Sequence, residues 1–291
     1  MHDTALRISR RPLAVAASLL GMVSLAIGAH AALNNRALEQ AKAEVTGQSA
    51  DAVKAGSRVA LVIGNGHYPD AAEALTQPIN DARALTAALR GDGFDVDVVE
   101  DASRDDMARA VERLKSRIRP DSVVMLFFGG YGAQVGRESY MLPVDATIWK
   151  ESDVRRAGIS VESVLAAMTA QGARAKLVVI DASRRNPYER RFRAFSHGLA
   201  PIEAPENALI LSSATPGQVA DDSSGQHSVL VAELLNHVTE QSAGAEAIFN
   251  KTRLAVAKAT DGEQVPSVSS SLEQEVRIGA DKAAGADKAG S

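Results

Sequence analysis

Val123-Val124-Met125-Leu126-Phe127-Phe128-Gly129-Gly130-Tyr131-Gly132 decides how the rest of the chain is read. The run Val123–Phe128 is apolar throughout, with no alternation of polar residues. A strand with that pattern is buried on both faces, as in a parallel sheet covered by helices. The glycines that follow let the backbone turn sharply and bring one side chain, Tyr131, to the edge of the sheet.

The same grammar extends in both directions. Downstream, Ser160 opens a helical stretch to Ala170, and Leu177–Ile180 is a second wholly apolar strand that runs into Asp181-Ala182-Ser183-Arg184. Ala208–Ser212 reads as a further strand, followed by helical patterns at Val229–Val238 and Ala245–Ala257. Upstream, Val59–Ile63 runs into the turn Gly64-Asn65-Gly66. Asn80-Asp81 opens a helical stretch from Ala82 to Leu89, closed by Gly91 and Gly93. Phe94–Val99 alternates with Asp95 and Asp97, and Ser103 with Asp106 makes a capping box for a helix to about Ile118. Strands alternating with helices imply an α/β fold with a mostly parallel sheet flanked by helices. Chemistry in such sheets sits at the C-terminal ends of the strands. Three loops qualify: Gly64–Pro69, Gly129–Gln134 and Asp181–Pro187.

The ends of the chain read differently. Arg7, Arg10 and Arg11 precede an apolar run from Leu13 to Ile27, and Ala29-His30-Ala31 follows as a small-x-small site. This is the layout of a signal peptide over residues 1–31. An uncleaved N-terminal anchor is the alternative, and it would associate the protein with a membrane. Either reading places the protein outside the cytoplasm, periplasmic or membrane-anchored. Residues 32–57, rich in Ala, Glu, Gln and Lys, read as a linker. Residues 58–272 form the domain. Residues 273–291 offer almost nothing apolar to bury and read as a disordered tail.

Composition narrows the chemistry. Of 291 residues, 45% are hydrophobic but only 4% aromatic, so Ala, Val, Leu and Ile must build the core. With 32 basic and 36 acidic residues, the net charge of −4 offers no basic excess for nucleic acid. The absence of cysteine removes disulfides, thiolate metal sites and any cysteine nucleophile. Gly64-x-Gly66 lacks the third glycine of a dinucleotide loop, and no phosphate loop or zinc-type histidine pair is present. Ser183 does not lie in a Gly-x-Ser-x-Gly elbow. No run of oxygen ligands demands calcium. No metal or cofactor is expected. The basic stretch Arg184–Arg193 reads as a solvated loop, with an acidic partner or anionic surface as the alternative.

The motifs taken in order resemble the caspase-like peptidase family, most closely its bacterial metacaspase-related branch. The resemblance rests on Ile63-Gly64-Asn65 with Tyr68, Asn80-Asp81-Ala82, Phe127–Gly132 and Tyr140-Met141-Leu142-Pro143-Val144-Asp145. It continues through Asp181-Ala182-Ser183-Arg184, Asn186-Pro187, Gly198-Leu199-Ala200-Pro201, Phe249-Asn250 with Thr252-Arg253, and Gln264 with Pro266. It implies a three-layer caspase-like sandwich. The family pattern has Gly-His-Gly and Asp-Ala-Cys, with the His as base and the Cys as nucleophile. Here Tyr131 stands at the His position and Ser183 at the Cys position. The resemblance also implies that Asp81 and Asp181 hold the basic side chain of a substrate.

Both departures fall on the reacting groups. A serine hydroxyl needs a base within hydrogen-bond reach, and a phenol with a pKa of about 10 is a protonated donor at neutral pH. The histidines available as replacements are His67, His197, His227 and His237. Asp81 also admits a helix-capping role, and Asp181 a role in ordering its loop. The leading expectation is therefore a pseudopeptidase that binds basic peptide segments or a protein partner. A serine-dependent endopeptidase with Arg/Lys preference, and a purely structural interaction domain, are the alternatives.

Overall fold

The computed structural model describes residues 57–69, 71, 74–182, 198–220, 225–238 and 243–278. The N-terminal segment 1–56, Ser183, His197, the basic stretch Arg184–Arg193 and the tail beyond residue 278 lie outside the described residues. The chain divides into two units, Met1–Ala55 and Gly56–Ser291, and the description concerns the second.

The strands are β1 (Arg58–Gly64), β2 (Asp95–Glu100), β3 (Val123–Gly129), β4 (Gly132–Val135), β5 (Glu138–Met141), β6 (Ile159–Ser160), β7 (Ala175–Asp181), β8 (Ala208–Ser212) and β9 (Ser267–Ser270). The helices are α1 (Gln77–Gly91), α2 (Arg104–Arg117), α3 (Glu151–Ala157), α4 (Val161–Ala170), α5 (Val229–Val238) and α6 (Ala245–Ala259). The main sheet has the order β2-β1-β3-β7-β8-β9. Its strands are parallel except β9, which runs antiparallel to β8 at the edge. A small antiparallel sheet, β4-β5-β6, stands beside it.

The apolar runs explain the layering. Alternate residues of one strand point to opposite faces, and here both faces are covered. Val123, Met125 and Phe127 join Leu85 and Leu89 of α1, Leu234 of α5 and Phe249 of α6 on one side. Val124, Leu126 and Phe128 join Met107 and Leu114 of α2 and Leu165 of α4 on the other. The result is an α/β sandwich of three layers, helices on both faces of a mostly parallel sheet, as the sequence implies.

Helix entries follow local chemistry. At the start of α2, Ser103 Oγ accepts from Asp106 N (3.2 Å) while Ser103 N donates to Asp106 Oδ2 (3.3 Å), the reciprocal capping box read from the sequence. α1 differs from expectation. It opens at Gln77 behind Thr76, with Pro78 in its first turn, where a missing N–H costs nothing. Asp81 therefore lies inside the helix and does not cap it. The C-terminal boundary also moves. Val276 and Ile278 are buried in the core, Ala245 N donates to Val276 O (2.6 Å), and Gly244 bridges to Arg277. The folded unit thus reaches Ile278, six residues past the expected end at 272, because two apolar side chains in an otherwise polar stretch suffice to dock it.

Candidate functional site

The C-terminal ends of β1, β3 and β7 lie side by side in register: Gly64 pairs with Gly129, and Gly129 with Asp181. The three loops picked from the sequence therefore start from one edge. The loop after β3 continues the parallel pairing beyond the strand. Gly130 N donates to Asp181 O (3.2 Å) and Gly132 N to Ala182 O (3.1 Å). Gly130 takes φ +156°, and a Cβ there would stand 2.5 Å from the Tyr68 hydroxyl. At Gly132 a Cβ would meet Leu199 Cδ2 at 2.7 Å.

Tyr131 sits between these glycines with its backbone clamped. Its N–H donates to Tyr68 Oη (3.1 Å), and its carbonyl accepts from Leu142 N (3.0 Å). The Tyr68 hydroxyl in turn donates to Leu142 O (2.9 Å), which also accepts from Asn65 Nδ2 (3.1 Å). Asn65 Oδ1 accepts from Ala102 N (2.9 Å). The scattered motif residues Asn65, Tyr68 and Leu142 thus form one frame around Tyr131. The side chain of Tyr131 is 7% exposed and packs edge-on against Tyr68, ring centroids 4.7 Å apart, in the apolar cluster beneath β4 and β5.

The acidic pair lies at the same edge. Asp81 comes from α1, whose close approach to β1 places Pro78 O against Gly64, and Asp181 ends β7. Both are buried, at 0% and 1% exposure. Burial, followed by the negative charge of Asp181, pushes the Asp81 carboxyl up to about 6. Hydrogen bonds from His227 and from the Ser228 backbone oppose that rise. His227 Nδ1 lies 2.7 Å from Asp81 Oδ1, and Ser228 N donates to Asp81 Oδ2 at 3.3 Å. Nothing in the sequence announces this pairing across 146 positions; the sequence offers His227 only as one histidine of several.

His67, in the first strand-end loop, has a different partner. Its Nδ1 lies 2.6 Å from Asp101 Oδ2, and Asp101 Oδ1 accepts from Gly66 N and His67 N, each at 2.9 Å. Partial burial works against the charge on Asp101, but the backbone donors of His67 and Gly66 and the His67 ring prevail and hold its carboxyl below the usual range. The fixed imidazole stands 70% exposed. His237 lies in α5. Among the described residues, no cluster of three or more His, Cys, Asp or Glu could hold a metal ion, and no helix is long and apolar enough to cross a membrane.

The family model of the caspase domain matches residues 57–277. This chain belongs to the caspase-domain family. Many solved structures share its fold, two of which illustrate the likeness. One is protein GSU0716 from Geobacter sulfurreducens, 15% identical, covering 77% of this chain and 99% of its own, with a TM-score of 0.56. The other is caspase-1 from Spodoptera frugiperda, also 15% identical, covering 78% of this chain and 92% of its own, with a TM-score of 0.56. No curated protein sequence matches the chain at a significant level. At such identities the likeness extends to the fold alone. In this caspase domain the frame around the loop after β3 is complete, and Tyr131 occupies it.

Proposed function

We propose that this caspase domain is a non-cleaving member of the metacaspase-related branch that binds basic peptide segments, or a protein partner presenting them. The observation that carries the reading is the buried pair Asp81 and Asp181 at the C-terminal edge of the sheet. Each carboxylate is withdrawn from water, and their mutual repulsion contributes to holding the Asp81 proton up to about pH 6. A guanidinium or ammonium group placed between them relieves that repulsion and supplies charge-assisted hydrogen bonds. The negative charge needed to attract Arg or Lys is thus built into the edge where ligands of open α/β sheets bind.

The reacting positions support the absence of cleavage. Tyr131, at the family's His position, is buried against Tyr68 rather than presented to solvent. A phenol does not take a proton from a serine hydroxyl at neutral pH. The basic, apolar and small-residue segments of positions 1–31 support export, to the periplasm or to a membrane through an uncleaved anchor.

Hydrolysis of fluorogenic Arg, Lys and Asp peptides by the chain from Ala32 onward tests the claim. The wild type should show no turnover above Ser183→Ala. The double variant Tyr131→His, Ser183→Cys serves as the comparison, because it restores the family's dyad. Wild-type turnover that disappears in Ser183→Ala would establish a serine peptidase instead.

A further inference from the structure

Asp81 of the acidic pair already has a partner from its own chain. Asp81 is fully buried, while the His227 side chain bonded to it is 31% exposed, so the imidazole stands between that carboxylate and solvent. We propose that His227 is a built-in competitor for the pocket: its ring occupies the Asp81 oxygen that an incoming guanidinium or ammonium would use, and a basic ligand binds by displacing it. This rests on the reading of Asp81 and Asp181 as a pocket for a cationic side chain.

The local anchoring suits a side-chain gate. On one side of His227, Asn80 Nδ2 donates to Gln226 O (3.0 Å). On the other, Ser228 N donates to Asp81 Oδ2 (3.3 Å), and Ser228 Oγ accepts from Val231 N (3.1 Å) in the first turn of α5. The backbone that carries His227 is therefore pinned at both neighbours. Rotation about the side-chain bonds of His227 uncovers Asp81 Oδ1 and leaves Oδ2 held by Ser228. The ring, already partly in water, gives up its bond to Asp81 in moving. Asp81, whose only described side-chain hydrogen-bond partner is His227, gains one from the ligand. The gate also selects. A ligand must offer Asp81 a stronger partner than imidazole, which a cationic Arg or Lys side chain does and an uncharged amide does not.

Titration calorimetry of a short Arg peptide with the full domain from Ala32 onward tests this, using wild type, His227→Ala, His227→Gln and Asp181→Ala. Removing the competitor should tighten binding roughly tenfold in His227→Ala, the scale of one hydrogen bond to a charged group. His227→Gln keeps a donor for Asp81 and should bind close to wild type, and Asp181→Ala should bind weakly. In ¹⁵N-labelled wild type, the peptide should shift the His227 ring nitrogens as their bond to Asp81 breaks. Equal or weaker binding by His227→Ala, with Asp181→Ala still impaired, would overturn the gate and leave the pocket standing. Unchanged His227 ring signals at saturating peptide would do the same. Failure of both wild type and His227→Ala to bind would remove the pocket and the gate together.

Discussion

Burying Asp81 beside Asp181 raises its carboxyl from 3.8 to about 6. The folded chain then holds a proton that the unfolded chain releases, so this group contributes stability below about pH 3.8 that is lost as the pH rises through 6. At neutral pH its charge is a burden on the fold. Asp81→Asn should therefore stabilise the protein at pH 7.5, by up to about 3 kcal/mol for a shift of this size, and give no gain below pH 3.5. Urea denaturation at the two pH values checks this. The same substitution should weaken binding of Arg peptides, and wild-type binding should strengthen from pH 5 to pH 7 as Asp81 ionises. Gly130 makes a second case. Its φ of +156° and the 2.5 Å approach of the Tyr68 hydroxyl leave no room for a methyl group. Gly130→Ala should lower stability by roughly 2 kcal/mol or more, measurable as a lower Tm. At this scale the sequence was readable in type and not in contact. The acids and the glycines were visible as candidates, but the His227 partner was not, because no local pattern links a histidine before one helix to an aspartate inside another.

The elements divide in a similar way. Four strands of the parallel part of the sheet are legible as apolar runs needing cover on both faces, β2 is legible by its alternation with Asp95 and Asp97, and Ser103 with Asp106 announces α2 as a capping box. The start of α1 differs from the expected opening at Asn80-Asp81, because the helix begins at Gln77 with Pro78 in its first turn and those two polar residues lie inside it. β9 was missed because Ser267-Val268-Ser269-Ser270 has no strand pattern of its own; it is a strand because the edge of β8 offers it unpaired backbone groups. β4, β5 and β6 are short, and their pairing depends on Gly130 turning the chain out of β3. These unread strands matter for the site, since β5 leads into Leu142, whose N–H and C=O hold Tyr131 and Tyr68.

Across the whole molecule, the two apolar faces of the sheet were apparent from the sequence, and the way the chain closes was not. Residues 275–278 look like the start of a polar tail. Yet Val276 and Ile278 are buried, and Arg58 at the head of β1 donates through Nη1 to Arg277 O (2.9 Å). A chain ended at Leu272 should lose several kcal/mol relative to one ended at Ile278, since burying each such side chain is worth about 1.5–3 kcal/mol. Paired thermal melts of the two lengths measure the difference. All three scales meet in the proposal that this caspase sandwich keeps an acidic pocket at its sheet edge without the groups that cut. The most direct test is calorimetric titration of an unlabelled Arg peptide into the wild-type domain, with the peptide mass measured afterwards. Saturable binding with the peptide recovered intact, and a matched Gln peptide inert, is the result the account predicts. A peptide recovered as two fragments, or no difference between Arg and Gln, would contradict it.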